Sequence, residues 1–198
     1  AAPFALVQRL NEAIRMAARE EGVLLLDLAW HAADGSYGNG LADPARWHQA
    51  KQLVSPEMAP LYGDHLARVA AASVGLSRKC LVLDLDNTLW GGVIGDDGLG
   101  GIKLGAGSPS GEAYVAFQRY AALLAQRGVI LAVCSKNDAH VAEAAFEHVE
   151  MALRRRDIAA FVANWEDKAG NLRRIAAMLD IGLDSLVFVD DNPAERDI

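Results

Sequence analysis

The stretch that decides the fold is Leu81-Val82-Leu83-Asp84-Leu85-Asp86-Asn87-Thr88-Leu89-Trp90-Gly91-Gly92. Three apolar residues lead into two aspartates one residue apart, and a Gly-Gly pair closes the stretch. A buried strand over Leu81-Val82-Leu83 would carry both carboxylates to its C-terminal tip, and period-2 alternation would point them to one side with Leu85 opposed. Two carboxylates held this close repel, so the pair implies either a shared proton or a bound divalent metal.

Working outward, the upstream residues read as a helix–strand unit of α/β type followed by a second helix. Leu6, Leu10, Ile14, Ala17 and Ala18 recur at helical spacing from Phe4 to Glu21, and Gly22 ends that helix. Residues 23–28, VLLLDL, read as a short buried strand, and 31–46, with its Gly, Asn, Asp and Pro content, as a surface loop. Ser55-Pro56-Glu57 carries the signature of an N-cap and first helical turn, with Met58, Leu61, Leu66, Val69 and Ala72 continuing an apolar face to about Gly75. Ser77-Arg78-Lys79 is a polar hinge, which predicts two domains, 1–78 and 79–198.

Downstream, the glycine-rich segment 93–107 suggests a hairpin lying over the strand tips, its apolar pieces flanking Asp96-Asp97-Gly98. A helix from Ser110 to Gly128 leads into a second buried strand, 129–134. Asp138 can cap a helix running to about Arg156, 161–163 is a short third strand, 167–179 is helical, and 186–189 is a fourth strand. Such alternation makes parallel sheets with helices on both faces. The chain stops eight residues after Asp190, where an α/β sheet normally continues, so the expectation is a piece of a longer polypeptide.

A chain of 198 residues with 52% hydrophobic content can bury a sizeable core. Its net charge of −7 argues against nucleic acid as a partner, because phosphate binding needs a basic excess. Arg154-Arg155-Arg156 and Arg173-Arg174 stand out in this acidic chain and read first as solvated helix faces. No apolar run approaches the ~20 residues of a membrane span, and the N-terminus lacks the pattern of a secretory leader, so the expectation is a soluble, cytoplasmic protein without a membrane partner. Two cysteines, Cys80 and Cys134, lie within apolar runs and fit reduced thiols better than a disulfide framework.

Open parallel sheets bind ligands at the carboxyl ends of their strands. Every predicted tip here is polar: Asp84 and Asp86; Ser135, Lys136 and Asn137; Asn164 with Lys168 soon after; Asp190, Asp191 and Asn192. Four carboxylates from two strands make a hard oxygen site suited to Mg2+, which resolves the opening choice toward metal and phosphate. A serine hydroxyl and a lysine ammonium opposite could hold phosphoryl oxygens, and a carboxylate can attack phosphorus to give an aspartyl phosphate.

These motifs, in this order, resemble the haloacid-dehalogenase (HAD) superfamily, whose Rossmann-like parallel sheet is the fold implied. The resemblance makes Asp84 the nucleophile, Asp86 the general acid/base, Ser135 and Lys168 the phosphate holders, and Asp190 with Asp191 the metal site completed by Asp84 and the backbone carbonyl of Asp86. Lys136 and Asn137 join the substrate-binding set, and Lys168 also counts as catalytic. The flanking residues Arg78-Lys79-Cys80, Leu89-Trp90-Gly91-Gly92, Ala132-Val133-Cys134-Ser135-Lys136-Asn137-Asp138 and Val189-Asp190-Asp191-Asn192-Pro193-Ala194-Glu195-Arg196 resemble the FkbH-like branch. The first 78 residues resemble the tail of an SGNH-type hydrolase that this branch carries, with Ala50-Lys51-Gln52 and Ser55-Pro56-Glu57 as the matching pieces; His48 stands without a Gly-Asp-Ser nucleophile block. Proteins of this branch take the glyceryl group of 1,3-bisphosphoglycerate, remove its phosphates and load it as a thioester onto an acyl carrier protein in polyketide pathways.

That chemistry requires a thiol. Cys80 is roughly 13 Å from the site at ~3.3 Å per strand residue, at the wrong end of the strand. Cys134 lies at the right end, although ideal alternation turns it away from Ser135. Two other readings stand beside glyceryl transfer: a simple Mg2+-dependent phosphatase, and a catalytically idle docking module of a megasynthase.

Overall fold

The computed structural model describes residues 2–33 and 40–197. The chain divides into two compact units, Ala1–Ser77 and Arg78–Ile198.

The first unit holds helices α1 (Pro3–Glu20), α2 (Leu28–Ala33), α3 (Pro44–Ala50) and α4 (Ala59–Ser73), and no strand among its described residues. The strand expected over 23–28 is absent. A strand is held by a neighbour's ladder, and none is available there. Instead Val23 N donates to Ala18 O at 2.8 Å, and Asp27 closes the segment by accepting Trp30 N at 3.0 Å, starting α2. The loop expected over 31–46 is likewise interrupted at both ends, its middle, 34–39, lying outside the described residues. Asp43 accepts Ala45 N at 2.9 Å and Pro44 occupies the first turn, so Asp-Pro here is a helix start. Ser55 is not a helix cap, because its hydroxyl donates to Gly40 O and α4 begins at Ala59.

The second unit is built on a four-stranded parallel sheet in the order β3-β2-β1-β4, with β1 Cys80–Leu83, β2 Ile130–Ser135, β3 Ala160–Ala163 and β4 Leu186–Val189. The helices are α5 (Ile94–Gly101), α6 (Pro109–Gln126), α7 (Ala139–Ala144), α8 (Lys168–Met178) and α9 (Pro193–Arg196). Alternation along the strands feeds two cores. Leu81, Leu83, Leu131 and Val133 meet Val115 and Ala121 of α6 and Ala142 of α7, whereas Cys80, Val82, Ala132 and Cys134 meet Ile175 of α8. Each fully buried Leu or Val contributes about 1.5–3 kcal/mol by leaving water, which makes the two-sided burial of β1 and β2 the main anchor of the strand tips.

Two sequence expectations fail in this unit for local reasons. Segment 93–107 is not a hairpin. Asp97 accepts Val93 N at 2.8 Å inside the first turn and commits the chain to α5, which kinks at Gly98 (φ 67°), while antiparallel pairing survives only as the bridge between Gly91 and Lys103. The helix after Asp138 ends at Ala144 rather than near Arg156. Buried Gln118 of α6 accepts Ala152 N (2.8 Å) and Leu153 N (3.2 Å), so 151–153 is held outside helical geometry with Met151 and Leu153 in the core.

Candidate active site at the strand tips

Leu83 pairs with Val133 on one side and Val189 on the other. One residue further along the three strands stand Asp84, Cys134 and Asp190, and Asp84 N donates to Val189 O at 2.9 Å. Asp167 caps α8 by accepting Gly170 N at 2.7 Å and sets Lys168 at its first position. The Lys168 ammonium, buried, lies 3.1 Å from Asp84 Oδ1 and also pairs with Asp190 Oδ2, whose partner oxygen Oδ1 accepts Asn192 N at 2.8 Å.

Asp84, Asp190 and Asp191 bring carboxylate oxygens within 4.8 Å of one another, the first two buried and the third exposed. Burial pushes the Asp84 carboxyl up from its ordinary range, opposed by Lys168 and Ser135 and reinforced by Asp190. Burial also works against the Lys168 charge, but its hydrogen bond to Asp190 and its proximity to Asp84 outweigh this, and the ammonium is held above its ordinary value. Asp84 Oδ1 makes no aligned hydrogen bond, its contact with Lys168 being an ion pair only. An under-coordinated buried oxygen within a three-carboxylate set is the arrangement that a hard divalent cation fits.

The side chain of Asp86 stands outside that set, so any metal role for this residue falls to its backbone carbonyl. Regular strand geometry ends at Leu83, and the chain then turns through Asn87 (φ 54°) and Gly92 (φ 98°), so alternation no longer governs where Asp86 points. Its Oδ1 accepts Trp90 Nε1 and Ile94 N, both at 2.9 Å, and its Oδ2 accepts Asn137 Nδ2 at 2.8 Å.

The residues at the end of β2 and just after it each have partners of their own. Ser135 is buried beside Asp84, and Asn137 Nδ2 reaches its Oγ at 3.2 Å. Asn137, expected to bind phosphate, donates its amide nitrogen to Asp86 and Ser135. Lys136, also expected there, pairs with Glu195 of α9 at 2.6 Å. Cys134 is fully buried in the α8-side core, its Sγ 4.0 Å from Lys168 O, and burial pushes the thiol up to about 12. Cys80, at the far end of β1, is pushed up to about 11 for the same reason. Beside the carboxylates opens a cleft of about 310 Å³ lined by Thr88, Tyr114, Phe117, Asp190 and Asp191 among others. Sequence reasoning missed Trp90, Ile94 N and Glu195 as partners of site residues, and only the i, i+4 spacing of Asp86 and Trp90 hinted at any of them.

A four-stranded parallel sheet with acidic groups at adjoining strand tips and helices on both faces is an α/β fold. No family model matches the chain, and no curated protein does. Among solved structures the chain is similar to the crystal structure of the N-terminal part of the protein BF1531 from Bacteroides fragilis, containing a phosphatase domain complexed with Mg, at 42% identity and a TM-score of 0.88 over 96% of this chain. The chain spans about half (51%) of the length of that structure. No described helix is long and apolar enough to cross a membrane.

Proposed function

We propose that this chain is a Mg2+-dependent phosphatase of small phosphorylated substrates, with Asp84 as nucleophile. The observation that carries the reading is Asp84 itself: a carboxylate at a strand tip, ion-paired with Lys168 and grouped with the carboxylates of Asp190 and Asp191. The resemblance to an Mg-complexed phosphatase domain at 42% identity supports it. Asp84, Asp190 and Asp191 would hold Mg2+, which when bound supplies positive charge to offset the carboxylates and the phosphoryl oxygens.

The chain's own groups do the rest. An Asp84 oxygen attacks phosphorus as the bond to the leaving oxygen breaks, and Asp86 gives its proton to that oxygen. Water then attacks the phosphoaspartate, Asp86 takes back a proton, and the bond between phosphorus and Asp84 breaks to release phosphate. Ser135 and Lys168 hold the equatorial oxygens. Phosphate release from acetyl phosphate and from glycerol phosphate tests the reading: release should require Mg2+, stop with EDTA and vanish in Asp84→Asn. Full activity in EDTA or in Asp84→Asn overturns it.

A finer reading is glyceryl transfer from 1,3-bisphosphoglycerate to an acyl carrier protein with Cys134 as acyl acceptor. Sequence resemblance supports it, as does the place of Cys134 beside Asp84 in the sheet register. It requires the thiol to leave its apolar cluster and ionise from about 12. Intact-mass analysis with 1,3-bisphosphoglycerate and Mg2+ should then show a glyceryl adduct that Cys134→Ala lacks; an adduct surviving that substitution overturns this reading.

A further inference from the structure

We propose that Trp90 and Asn137 are positioning residues that fix the Asp86 carboxylate for proton transfer and set which of its oxygens is left open to a substrate. The inference rests on the phosphatase reading above. A carboxylate has about four lone-pair sites, two on each oxygen. Here Oδ1 has both of its sites filled, by the Trp90 indole N–H and the Ile94 backbone N–H, each at 2.9 Å. Oδ2 has one, filled by Asn137 Nδ2 at 2.8 Å. The single open site is on Oδ2, so that oxygen is the one left to face a leaving group or water.

Each donor is itself immobilised. The Trp90 ring is fully buried and packs edge-on against Phe146, centroids 6.3 Å apart at 84°. Its preceding carbonyl, Leu89 O, accepts Gln118 Nε2 at 2.7 Å, which ties the loop to α6. A side chain at Gly91 would meet the Tyr114 ring at 2.9 Å, so the backbone there is pressed against α6 and the indole has little room to swing. Asn137 is buried and divides one amide nitrogen between Asp86 Oδ2 and Ser135 Oγ (3.2 Å). The acid/base is thereby held in fixed relation to a group that binds the phosphoryl oxygens. Neither Trp90 nor Asn137 contacts the three-carboxylate set, and neither needs to touch substrate.

A donor that aims a general acid matters most when the leaving oxygen needs a proton. An alkyl phosphate expels an alkoxide and depends on that proton, whereas acetyl phosphate expels an acetate that does not. The experiment compares wild type with Trp90→Phe and Asn137→Leu, both checked for an intact cooperative melt. With Mg2+ and excess enzyme, it measures the first equivalent of alcohol from glycerol phosphate and of acetate from acetyl phosphate before turnover. General acid catalysis contributes about 10²–10⁴-fold, so a misaligned acid should slow the glycerol phosphate step by about ten- to a hundredfold in each variant and the acetyl phosphate step by less than about threefold. Equal slowing of both substrates, or slowing of neither, overturns the positioning role while leaving the phosphatase reading intact. If one variant fails to fold, the other decides alone. A wild-type protein inert toward both substrates defeats the phosphatase reading instead.

Discussion

Asp84 and Asp86 are two residues apart in one motif, yet they occupy opposite kinds of environment. The region around Asp84 is made of charge: a buried lysine, a second buried aspartate and an exposed third. The region around Asp86 is made of neutral donors, an indole N–H, a backbone amide and a side-chain amide. Charge leaves the Asp84 oxygens balanced yet loosely coordinated, which suits a group that must bind a cation and form a bond. Neutral donors hold Asp86 in place without competing for a metal, which suits a group that only moves protons. The difference comes from where β1 stops, since Asp84 is still fixed by β4 whereas Asp86 already belongs to the loop that wraps it.

The strongest way to break this contrast is to neutralise each aspartate in turn. Asp84→Asn removes the nucleophile and should take phosphate release to background. Asp86→Asn should cost on the order of 10²–10⁴-fold in turnover but still permit attack on acetyl phosphate, whose leaving group needs no acid. Intact-mass analysis of Asp86→Asn after brief exposure to acetyl phosphate and Mg2+ should therefore show a trapped phosphoryl adduct, absent from the double variant. An adduct on Asp84→Asn would reverse the two roles.

A smaller effect follows from removing the charge that balances the Asp84 region. Lys168→Met leaves two buried carboxylates facing each other, and stranding buried charge this way costs on the order of 3–5 kcal/mol. Part of that cost is relieved by protonation. Asp84 is already raised by burial, so without Lys168 the folded state binds more protons than the unfolded one from the ordinary carboxylate range upward, and stability should fall as pH rises through and above that range. Mg2+ should also raise the melting temperature of Lys168→Met more than that of wild type. Thermal melts across pH, with Mg2+ or EDTA, measure both; a variant as stable as wild type at pH 7 in EDTA would show that the ion pair contributes nothing net.

The legible parts of this molecule were those whose signal is a buried run. Leu81–Leu83 and 129–134 are apolar enough that only a sheet covered on both faces can hold them, 186–189 continues the pattern at the sheet's edge with Val187 exposed, and the polar residue that follows each run marks a tip. Asp84, Ser135, Asp190 and Asp191, with Lys168, are therefore the residues to which the sequence points, and the fold brings Asp84, Lys168, Asp190 and Asp191 together. The illegible parts depend on side chains capturing backbone or on partners distant in sequence. Asp97 turned a hairpin pattern into α5, Gln118 stopped the helix after Asp138, and Asp27 diverted a strand-like run into α2. Asn137 and Lys136 stand out in the sequence because they sit at a tip, and only the fold shows that Asp86 and Glu195 are partners of theirs.

The smallest expected effect concerns the thiol beside the Asp84 region. Cys134 shares the α8-side core with Cys80, and neither has water access. Both thiols are raised from 9.0, to about 12 and about 11. A raised thiol value means the folded chain keeps protons that the unfolded chain loses, so this contribution to stability is whole below pH 9 and fades as pH rises toward 12. At pH 8 neither thiol should react with a disulfide reagent in the folded protein, and two should react after denaturation. If the phosphatase reading is complete, Cys134→Ala leaves phosphate release from acetyl phosphate within about threefold of wild type and costs only stability, of the order of 1 kcal/mol for a buried Cys-sized group in a core that can relax. Rapid labelling of Cys134 that 1,3-bisphosphoglycerate blocks would mean that the thiol reaches the site, and would shift the balance toward glyceryl transfer.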